Sequence, residues 1–303
     1  MKKPIRFLSI LTIIAMAFFF LNAIGVTNIK LLKNVSDNYE IKAPKLPTYM
    51  ELAGESVPLE KPNVRERMDR ELLVNTYWQS NGLLLIKRAN KIFPLLEPLL
   101  AKHGLPDDFK YLAVAESALL VNNPSHARAS GLWHFLPSTA REKRFGLEVN
   151  KNVDERYHLE KSTKAAAIYL KRAKAKFGSW TLAAASYNCG MGRVSQRLKS
   201  QGVDNYYDAL LPDETARYVF RILAIKEVMT NPEKYGFVFD TEDLYTLPQT
   251  RTITVDTPIE NIATFANKHG LTYKEFKIYN SWLRENKLNN KSRKVYEIKI
   301  PIK

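Results

Sequence analysis

Glu116 is the acidic residue of this chain whose surroundings best suit acid catalysis. It lies in the run from Leu112 to Leu120, in which only Glu116 and Ser117 are polar. A carboxylate among apolar groups is costly to ionise, so burial would raise its pKa and suit it to donate a proton near neutral pH. A glutamate on the wet face of a helix, next to Lys110, explains the same residues, and the local composition alone favours that simpler interpretation.

Three later segments combine aromatic, polar and small residues in the manner of a binding cleft. Gly131–Pro137 contains one glycine and two aromatic residues directly after a polar loop. In Ala184–Gly190, Tyr187 and Asn188 end an apolar stretch just before a glycine. The third segment is Glu214–Tyr218. Polar, aromatic and small residues at helix ends commonly line a cleft, so the three segments and Glu116 predict a cleft at the ends of several helices.

Several other chemistries find little support in the sequence. Cys189 is the only cysteine, so neither an intramolecular disulfide nor a cysteine-based metal site is expected. The five histidines form no His-x-x-x-His pair, and neither a metal nor a cofactor is predicted. The formal charge of +15 fits either a solvated basic surface or a polyanionic partner. The basic residues are spread without a nucleic-acid motif, so nucleic acid is not expected as a partner.

The hydrophobic pattern predicts an all-helical region followed by a smaller mixed unit. Helices are expected over 64–102, 106–119, 158–177, 180–188, 194–198 and 213–228, with a short one beginning at Pro137. Gly178 is expected to stop the helix over 158–177. No strand is predicted before residue 240. The tail alternates over 252–255 and 295–300, with helices over 258–268 and 273–279, which predicts a β-α-α-β unit.

The N-terminus has the composition of an export segment. Lys2, Lys3 and Arg6 precede an apolar run over residues 7–26, which is about the length of a membrane-spanning helix. A small-x-small sequence at residues 23–25 resembles a cleavage site, so a cleaved signal peptide and a retained anchor both stay open. The basic flank places the rest of the chain outside the cytoplasm, in the periplasm or cell envelope.

The predicted organisation has four parts. Residues 1–26 are the signal peptide or anchor, and residues 27–63, polar and rich in proline, are a linker or stalk. Residues 64–240 form the helical domain. Residues 250–303 form the β-α-α-β domain, and the oligomeric state is left open.

Read in order, the motifs resemble the family 1 lytic transglycosylases, particularly their membrane-bound D-type branch. That family's pattern is Glu-Ser, a Ser, Gly-Leu-(Met/Trp)-Gln, Ala-Tyr-Asn-x-Gly and Glu-Thr-x-x-Tyr. The matching residues are Glu116-Ser117, Ser125, Gly131-Leu132-Trp133-His134, Ser186-Tyr187-Asn188-Cys189-Gly190 and Glu214-Thr215-Ala216-Arg217-Tyr218. The resemblance covers residues 65–240 and implies a mainly α, lysozyme-like fold of the goose-type or SLT class.

The resemblance also implies a reaction and a set of roles. Glu116 would act as acid and then base on the β-1,4 bond between N-acetylmuramic acid and N-acetylglucosamine in peptidoglycan, leaving 1,6-anhydromuramic ends. Ordinary glycosidases use two carboxylates, whereas Asp154 and Glu155, the nearest other acids, are interpreted as a helix start. The residues expected to contact sugar or orient the acid are Ser125, His134, Tyr187, Asn188 and Tyr218.

Two positions depart from the family pattern. His134 stands where glutamine is usual, and Arg128 stands in a loop where the family favours glycine. Two alternatives therefore accompany the transglycosylase prediction. One is an inactive or weakly active protein that binds or tethers peptidoglycan, and the other is a hydrolysing muramidase on the same fold.

The tail resembles a LysM module, a wall-binding domain of β-α-α-β form. The residues that fit the pattern are those at 259–266, Leu271, Phe276, Tyr279-Asn280 and 298–301. Asn280 is expected to cap a loop. A diverged LysM module that no longer binds glycan stays open as an alternative.

Overall fold

The computed structural model describes residues 41–122, 124–125 and 127–302. The predicted export segment at residues 7–26 lies outside the described residues, as does most of the predicted stalk. Residues 41–43 have no regular secondary structure, and the chain from Pro44 onward forms one compact unit. Within the described ranges, no helix is both long enough and apolar enough to cross a bilayer.

The first part of the compact unit is helical, as the hydrophobic pattern predicts. Its helices are α1 (Pro62–Tyr77), α2 (Gln79–Lys102), α3 (Phe109–Ser117), α4 (Pro137–Ala140), α5 (Leu159–Phe177), α6 (Trp180–Cys189), α7 (Met191–Gln201) and α8 (Asp213–Thr230). Short 3₁₀ helices occur at Glu155–Tyr157, Pro232–Tyr235 and Thr241–Asp243. We call α1–α8 with their connections the helical domain.

Helices α8 and α6 form the centre of the helical domain. Helix α8 packs against α1, α3 and α6, and Val219, Phe220 and Leu223 are fully buried. Helix α6 packs against α5 through alanine side chains on both helices, which allow the two backbones to approach closely. Gly178 ends α5 in the left-handed conformation at φ +71°, as predicted. The core therefore fixes both helices that carry the later sequence motifs.

A short hairpin in front of α1 corrects the stalk prediction. Strands β1 (Glu51–Leu52) and β2 (Glu55–Ser56) are antiparallel, although no strand was expected before residue 240. Four apolar side chains around the hairpin are buried in the core of the helical domain: Met50, Leu52, Val57 and Leu59. The last part of the predicted 27–63 linker therefore packs as part of the domain, because these side chains remove apolar surface from water.

Glu55 of this hairpin caps the N-terminus of α6. Its carboxylate accepts hydrogen bonds from the backbone N–H groups of Trp180 (2.6 Å) and Thr181 (2.9 Å) and from the Ser179 hydroxyl (2.7 Å). Lys174 Nζ lies 2.8 Å away. Burial alone would raise the pKa of Glu55, but Lys174 and the α6 donors lower it to about 2. The carboxylate therefore satisfies donors that a helix start otherwise leaves unpaired.

The tail forms the predicted β-α-α-β unit. Strands β3 (Thr250–Val255) and β4 (Tyr296–Pro301) pair antiparallel, and helices α9 (Ile262–Lys268) and α10 (Tyr273–Tyr279) lie between them in sequence. Asn280 is fully buried, and its amide donates to Phe276 O (3.2 Å) and Lys299 O (2.7 Å) and accepts from Lys299 N (2.9 Å). It joins the end of α10 to β4, which is a structural role.

Candidate active site

Glu116 lies in the last turn of α3, and its side chain is 16% exposed. Leu112 and Ala113 on the same helix are fully buried. Ala118 and Leu119 follow with left-handed backbones, at φ 49° and 59°, so the chain turns away directly after the acid. The interpretation of Glu116 as a glutamate on a wet helix face is therefore wrong. Tertiary packing buries this helix end in a way that its own residues do not reveal.

The Tyr218 hydroxyl donates a hydrogen bond to Glu116 Oε1 from the facing helix α8. Burial raises the pKa of Glu116 to about 7, although the Tyr218 hydrogen bond and the positive charge of Arg221 act to lower it and Glu214 acts to raise it. Burial and the neighbouring carboxylate also raise the pKa of Tyr218 well above 10. The phenol is therefore a fixed neutral donor beside an acid that exchanges its proton near neutral pH.

Tyr187, at the end of α6, is held by a group of aromatic side chains. Its hydroxyl donates to Trp133 O at 2.8 Å, and its ring contacts those of Phe135 and Tyr169, with centroids at 5.9 and 5.2 Å. Burial, with the charge of Glu116 as a second cause, raises the pKa of Tyr187 well above 10. Like Tyr218, it stays protonated, and it ties α6 to the loop that carries Trp133.

His134 is brought next to Glu116 by a tight loop. Its backbone is left-handed at φ 45°, and the bridge between Ser130 and Phe135 closes the loop around it. The His134 Nδ1 atom lies 4.0 Å from Glu116 Oε2, beyond hydrogen-bond length, and the His134 side chain is 15% exposed. The imidazole therefore lies within ion-pair distance of the Glu116 carboxylate, but not within hydrogen-bond distance of it.

The remaining two predicted residues have contacts of a different kind. Asn188 Oδ1 accepts a hydrogen bond from the Thr215 hydroxyl at 2.7 Å, which ties the end of α6 to the start of α8. Ser125 bonds within its own loop: its N–H donates to Ala129 O (2.9 Å) and its Oγ accepts from Ala129 N (3.0 Å). Direct contact of Ser125 with sugar stays a prediction.

A buried arginine that sequence reasoning missed holds the His134 loop. Arg156 Nη1 donates to Arg128 O (2.8 Å) and Phe135 O (2.9 Å), and its guanidinium pairs with Asp154. A Cβ added to Gly131 would lie 1.8 Å from Arg156 O, so only glycine fits at this point of the loop. Asp154 also caps the 3₁₀ helix that follows it, as expected for a helix start. The hydrogen bonds from Arg156 to Arg128 O and Phe135 O span 28 and 21 residues, so the local sequence pattern does not indicate them.

Arg128 and His134 are the two non-glycine residues of this loop with a positive φ, among the residues that the structure describes. Arg128 has φ 60°, a conformation in which glycine has no steric penalty. A positive φ is consistent with the glycine that the resembled family favours at this position, and nothing in the structure explains why arginine stands there instead. Arg128 adopts the required backbone, and its side chain is exposed.

A second missed feature is a network of charged residues behind Tyr218. Glu71 on α1 is 1% exposed, and its Oε1 lies 2.7 Å from Arg217 Nε and 2.5 Å from Arg70 Nη1. Arg221 pairs with Glu214 at 2.8 Å and lies 3.9 Å from Glu71 Oε2. Arg217 and Arg221 are four residues apart on α8, which could have indicated a shared anionic partner. The network places fixed charges close to the Glu116 carboxyl.

The described residues offer no evident metal site. No group of three or more His, Cys, Asp or Glu side chains among them is arranged to hold a metal ion. Cys189, the single cysteine, is half-buried and packs against the core. Separately, the buried Glu116 carboxyl, with a pKa of about 7, can exchange a proton with a bound molecule near neutral pH.

Removing the Tyr218 hydroxyl is expected to raise the pKa of Glu116 further. In Tyr218→Phe the carboxylate loses a hydrogen bond that stabilises its charged form, so its pKa should rise above about 7. Titration of ¹³C-labelled glutamate carboxyls by NMR measures this shift. Tyr235→Phe is the control, since that phenol bonds to Glu227. A pKa of Glu116 that falls or stays constant in Tyr218→Phe would contradict the assignment of this hydrogen bond.

Comparison with known proteins finds two domain models that match this chain. The Transglycosylase SLT domain matches residues 96–209, and the Soluble lytic transglycosylase C-terminal LysM-like domain matches residues 251–303. Membrane-bound lytic murein transglycosylase D of Escherichia coli strain K12 is 28% identical over 233 residues, which cover 74% of this chain and 49% of that protein. The same protein of Escherichia coli O6:H1 matches equally.

Two further proteins are similar over smaller parts of this chain. A putative tributyltin chloride resistance protein of Alteromonas sp. is 32% identical over 100 residues, covering 33% of this chain and 47% of that protein. The X-ray structure of an inactive variant of lytic transglycosylase Slt from Pseudomonas aeruginosa matches with a TM-score of 0.36 and 23% identity, over 50% of this chain and 26% of that one.

The chain is thus a mainly helical protein that carries an SLT transglycosylase domain followed by a LysM-like domain. It is homologous to membrane-bound lytic murein transglycosylase D of Escherichia coli, and the resemblance found from the sequence is confirmed. The chain spans about half the length of the curated relatives it matches.

Proposed function

We propose that this chain is a lytic transglycosylase that cleaves the β-1,4 bond between N-acetylmuramic acid and N-acetylglucosamine in peptidoglycan. Glu116 donates its proton to the glycosidic oxygen, and the bond from that oxygen to the muramic C1 breaks. The Glu116 carboxylate then takes the proton of the muramic 6-hydroxyl, whose oxygen bonds to C1. The products are a free N-acetylglucosamine hydroxyl and a 1,6-anhydromuramic end, and Glu116 regains its proton.

The single observation that carries this proposal is the environment of Glu116. A pKa of about 7 means that both forms of the carboxyl group are well populated near neutral pH. A general acid that later acts as base needs this balance, since it must hold the proton before cleavage and release it easily. An exposed glutamate would be ionised almost completely at the same pH.

The neighbouring carboxylates are engaged elsewhere, which favours a route with one acid. Glu214 bonds to Arg221 and Glu71 bonds to Arg217. Arg221 is the main cause that lowers the pKa of Glu214, so Glu214 stays ionised and paired. Glycosidases with two carboxylates need a second one free to act as nucleophile or to activate water. In this site the substrate's own hydroxyl would take that part.

The predicted sugar contacts follow from the groups around the acid. The Tyr218 hydroxyl bonds to the Glu116 carboxyl, and the Tyr187 hydroxyl bonds to Trp133 O close enough to Glu116 for its charge to act on the phenol. Asn188 is oriented by Thr215 so that its amide can bond a sugar substituent. His134, 4.0 Å from Glu116, would contact sugar at the cleavage point and would partly replace the glutamine of related proteins. Ser125 would contribute from the neighbouring loop.

Analysis of reaction products tests this function. The purified full chain is incubated with peptidoglycan, and the released fragments are analysed by mass spectrometry. We expect fragments with 1,6-anhydromuramic ends. Fragments with reducing muramic ends would instead show a hydrolysing muramidase. Binding to the peptidoglycan pellet without release of fragments would show a tethering protein, and either result would overturn the proposal.

We also propose that the protein works in the cell envelope. The basic flank and the apolar run at residues 7–26 support export, with a cleaved signal peptide or a retained anchor. Its homologue is named as membrane-bound. Peptidoglycan glycan strands are the proposed partner, because they lie in the cell envelope and contain the glycosidic bond that this site would cleave. Cell fractionation with an antibody to the LysM-like domain checks the location, and a cytoplasmic pool alone would contradict it.

A further inference from the structure

The LysM-like domain shares its hydrophobic core with the helical domain. Val153 and Tyr157 belong to the helical domain, yet they are buried in the same cluster as Trp282, Leu283 and the other core residues of the tail. The Arg284 guanidinium covers the ring of Tyr157 at 4.0 Å from its centroid. A module attached only by a linker would keep its own closed core, so this arrangement indicates a permanent contact.

Backbone pairing reinforces the contact. Val153 and Leu283 form an antiparallel bridge. On either side of it, Asp154 N donates to Trp282 O at 2.9 Å and Arg284 N donates to Asn152 O at 2.8 Å. The segment 152–154 therefore adds a short strand-like edge to the segment 282–284.

The Asn152 side chain clasps the next stretch of the LysM-like domain. Its Nδ2 donates to Lys287 O at 2.7 Å and to Glu285 Oε2 at 3.1 Å, while its Oδ1 accepts from Asn289 N at 2.9 Å. One amide thus uses both its donor and its acceptor sides across the interface. Ion pairs at the edge of the interface, such as that between Lys299 of the LysM-like domain and Glu160 of α5, help to orient the two domains.

The clasped segment is the one that leads to the active-site loop. The backbone N–H of Asp154 donates to Trp282 O of the LysM-like domain. The carboxylate of the same Asp154 pairs with Arg156 Nη2 at 2.7 Å. Arg156 then donates to the two ends of the His134 loop, at Arg128 O and Phe135 O. An unbroken set of described contacts therefore runs from the LysM-like domain to the loop beside Glu116.

We propose that the LysM-like domain is a fixed structural part of the cleft: it clasps segment 150–157, and Arg156 of that segment acts as a positioning residue for the His134 loop. The domain then serves the site through its contacts with the helical domain, independently of any glycan that it binds itself. This inference deepens the proposed function, and its structural half can be measured without any activity.

Amide hydrogen exchange on the full chain tests the coupling. Asn152→Ala removes the clasp and leaves the cleft residues unchanged, and Asn267→Ala, at an exposed asparagine on α9 of the same domain, is the matched control. The reporters are the amides of Ser130 and His134, which bond to Phe135 O and Gly131 O. We expect both to exchange about tenfold faster in Asn152→Ala, since several hydrogen bonds that restrain local opening are lost. Asn267→Ala should match the parent chain.

The coupling is overturned if Asn152→Ala speeds exchange at residues 282–289 alone, or at neither segment. Arg156→Gln is the positive control, because it frees the same loop directly, and Arg156→Lys should restore part of the protection. If Asn152→Ala does not fold, Glu160→Gln weakens the same interface from its edge and gives the same test. A fall in glycan release by Asn152→Ala would be a second readout. That readout rests on the proposed function, whereas the exchange result stands without it.

Discussion

Glu116→Gln is expected to reduce glycan cleavage by about 10³-fold or more, because the amide can neither donate the acid proton nor take one back. The surrounding side chains, including Tyr218 and Tyr187, would persist, so binding of the variant to peptidoglycan should be unchanged. Initial rates of soluble fragment release measure the loss. Glu260→Gln removes the same charge from an exposed position and should leave the rate unaltered. Full activity of Glu116→Gln would exclude this carboxyl as the acid.

The same substitution is expected to stabilise the fold at alkaline pH. The pKa of Glu116 is raised from an ordinary 4.5 to about 7, so the folded chain holds this proton more tightly than the unfolded chain does. Stability therefore falls as pH rises from about 4.5 to about 7, by up to about 3 kcal/mol. Glutamine cannot ionise, so the free energy of unfolding of the variant should exceed that of the parent at pH 8 and approach it at pH 4.

Urea unfolding at the two pH values measures this difference. Glu260→Gln is again the control, and it should show no such pH-dependent gain. A Glu116→Gln chain that is less stable than the parent at pH 8 would mean that the carboxylate is stabilised by its surroundings, contrary to the burial seen here. Gained stability with lost activity would be typical of a residue retained for chemistry.

Gly131→Ala is expected to destabilise the protein by about 3 kcal/mol or more, the range of substitutions that force backbone to move. The new Cβ would lie 1.8 Å from Arg156 O and 2.6 Å from Arg156 C, at a backbone φ of +79°. Either the His134 loop or the Arg156 segment must shift, and both lie next to the acid. At about 2–4 °C per kcal/mol for a chain of this size, the Tm should fall by about 10 °C.

Gly178→Ala separates the clash from the backbone strain. Gly178 has a similar φ of +71°, but a Cβ there would meet nothing within 4 Å. Its replacement should therefore show only the left-handed penalty, about 1 kcal/mol. Equal Tm decreases for the two variants, measured by calorimetry, would show that the contact with Arg156 O does not constrain Gly131.

The helices and the outline of the cleft could be predicted because they depend on local pattern. Alanine-rich and amphipathic periodicity marks α5 and α6, and Gly178 marks where α5 ends. The motif residues Tyr187, Asn188 and Tyr218 fall at helix positions that the fold brings around Glu116. The order of the motifs along the chain was the guide to these positions, and their contact with sugar stays a prediction.

What the sequence could not reveal are pairings between distant residues. Glu55 caps a helix 125 residues later, and its strands are only two residues long, too short for any periodicity. Arg156 reaches back 28 residues to Arg128 O. The burial of Glu116 is of the same kind, since α8 supplies both the cover and the hydrogen bond. Such contacts are products of the tertiary fold and leave no local pattern.

The hydrogen bond from Tyr218 to Glu116 crosses the boundary of the matched SLT domain. Glu116 lies inside the segment 96–209 that matches the SLT domain, whereas Tyr218 lies beyond its end. Glu55, which fixes the helix carrying Tyr187, lies before its start. A chimera that transplants residues 96–209 alone would carry the acid without the phenol that tunes it. The shortest segment that contains Glu116 with both of these contacts therefore reaches from the β1–β2 hairpin to α8. Recombination within that segment would separate Glu116 from Tyr218 or α6 from Glu55.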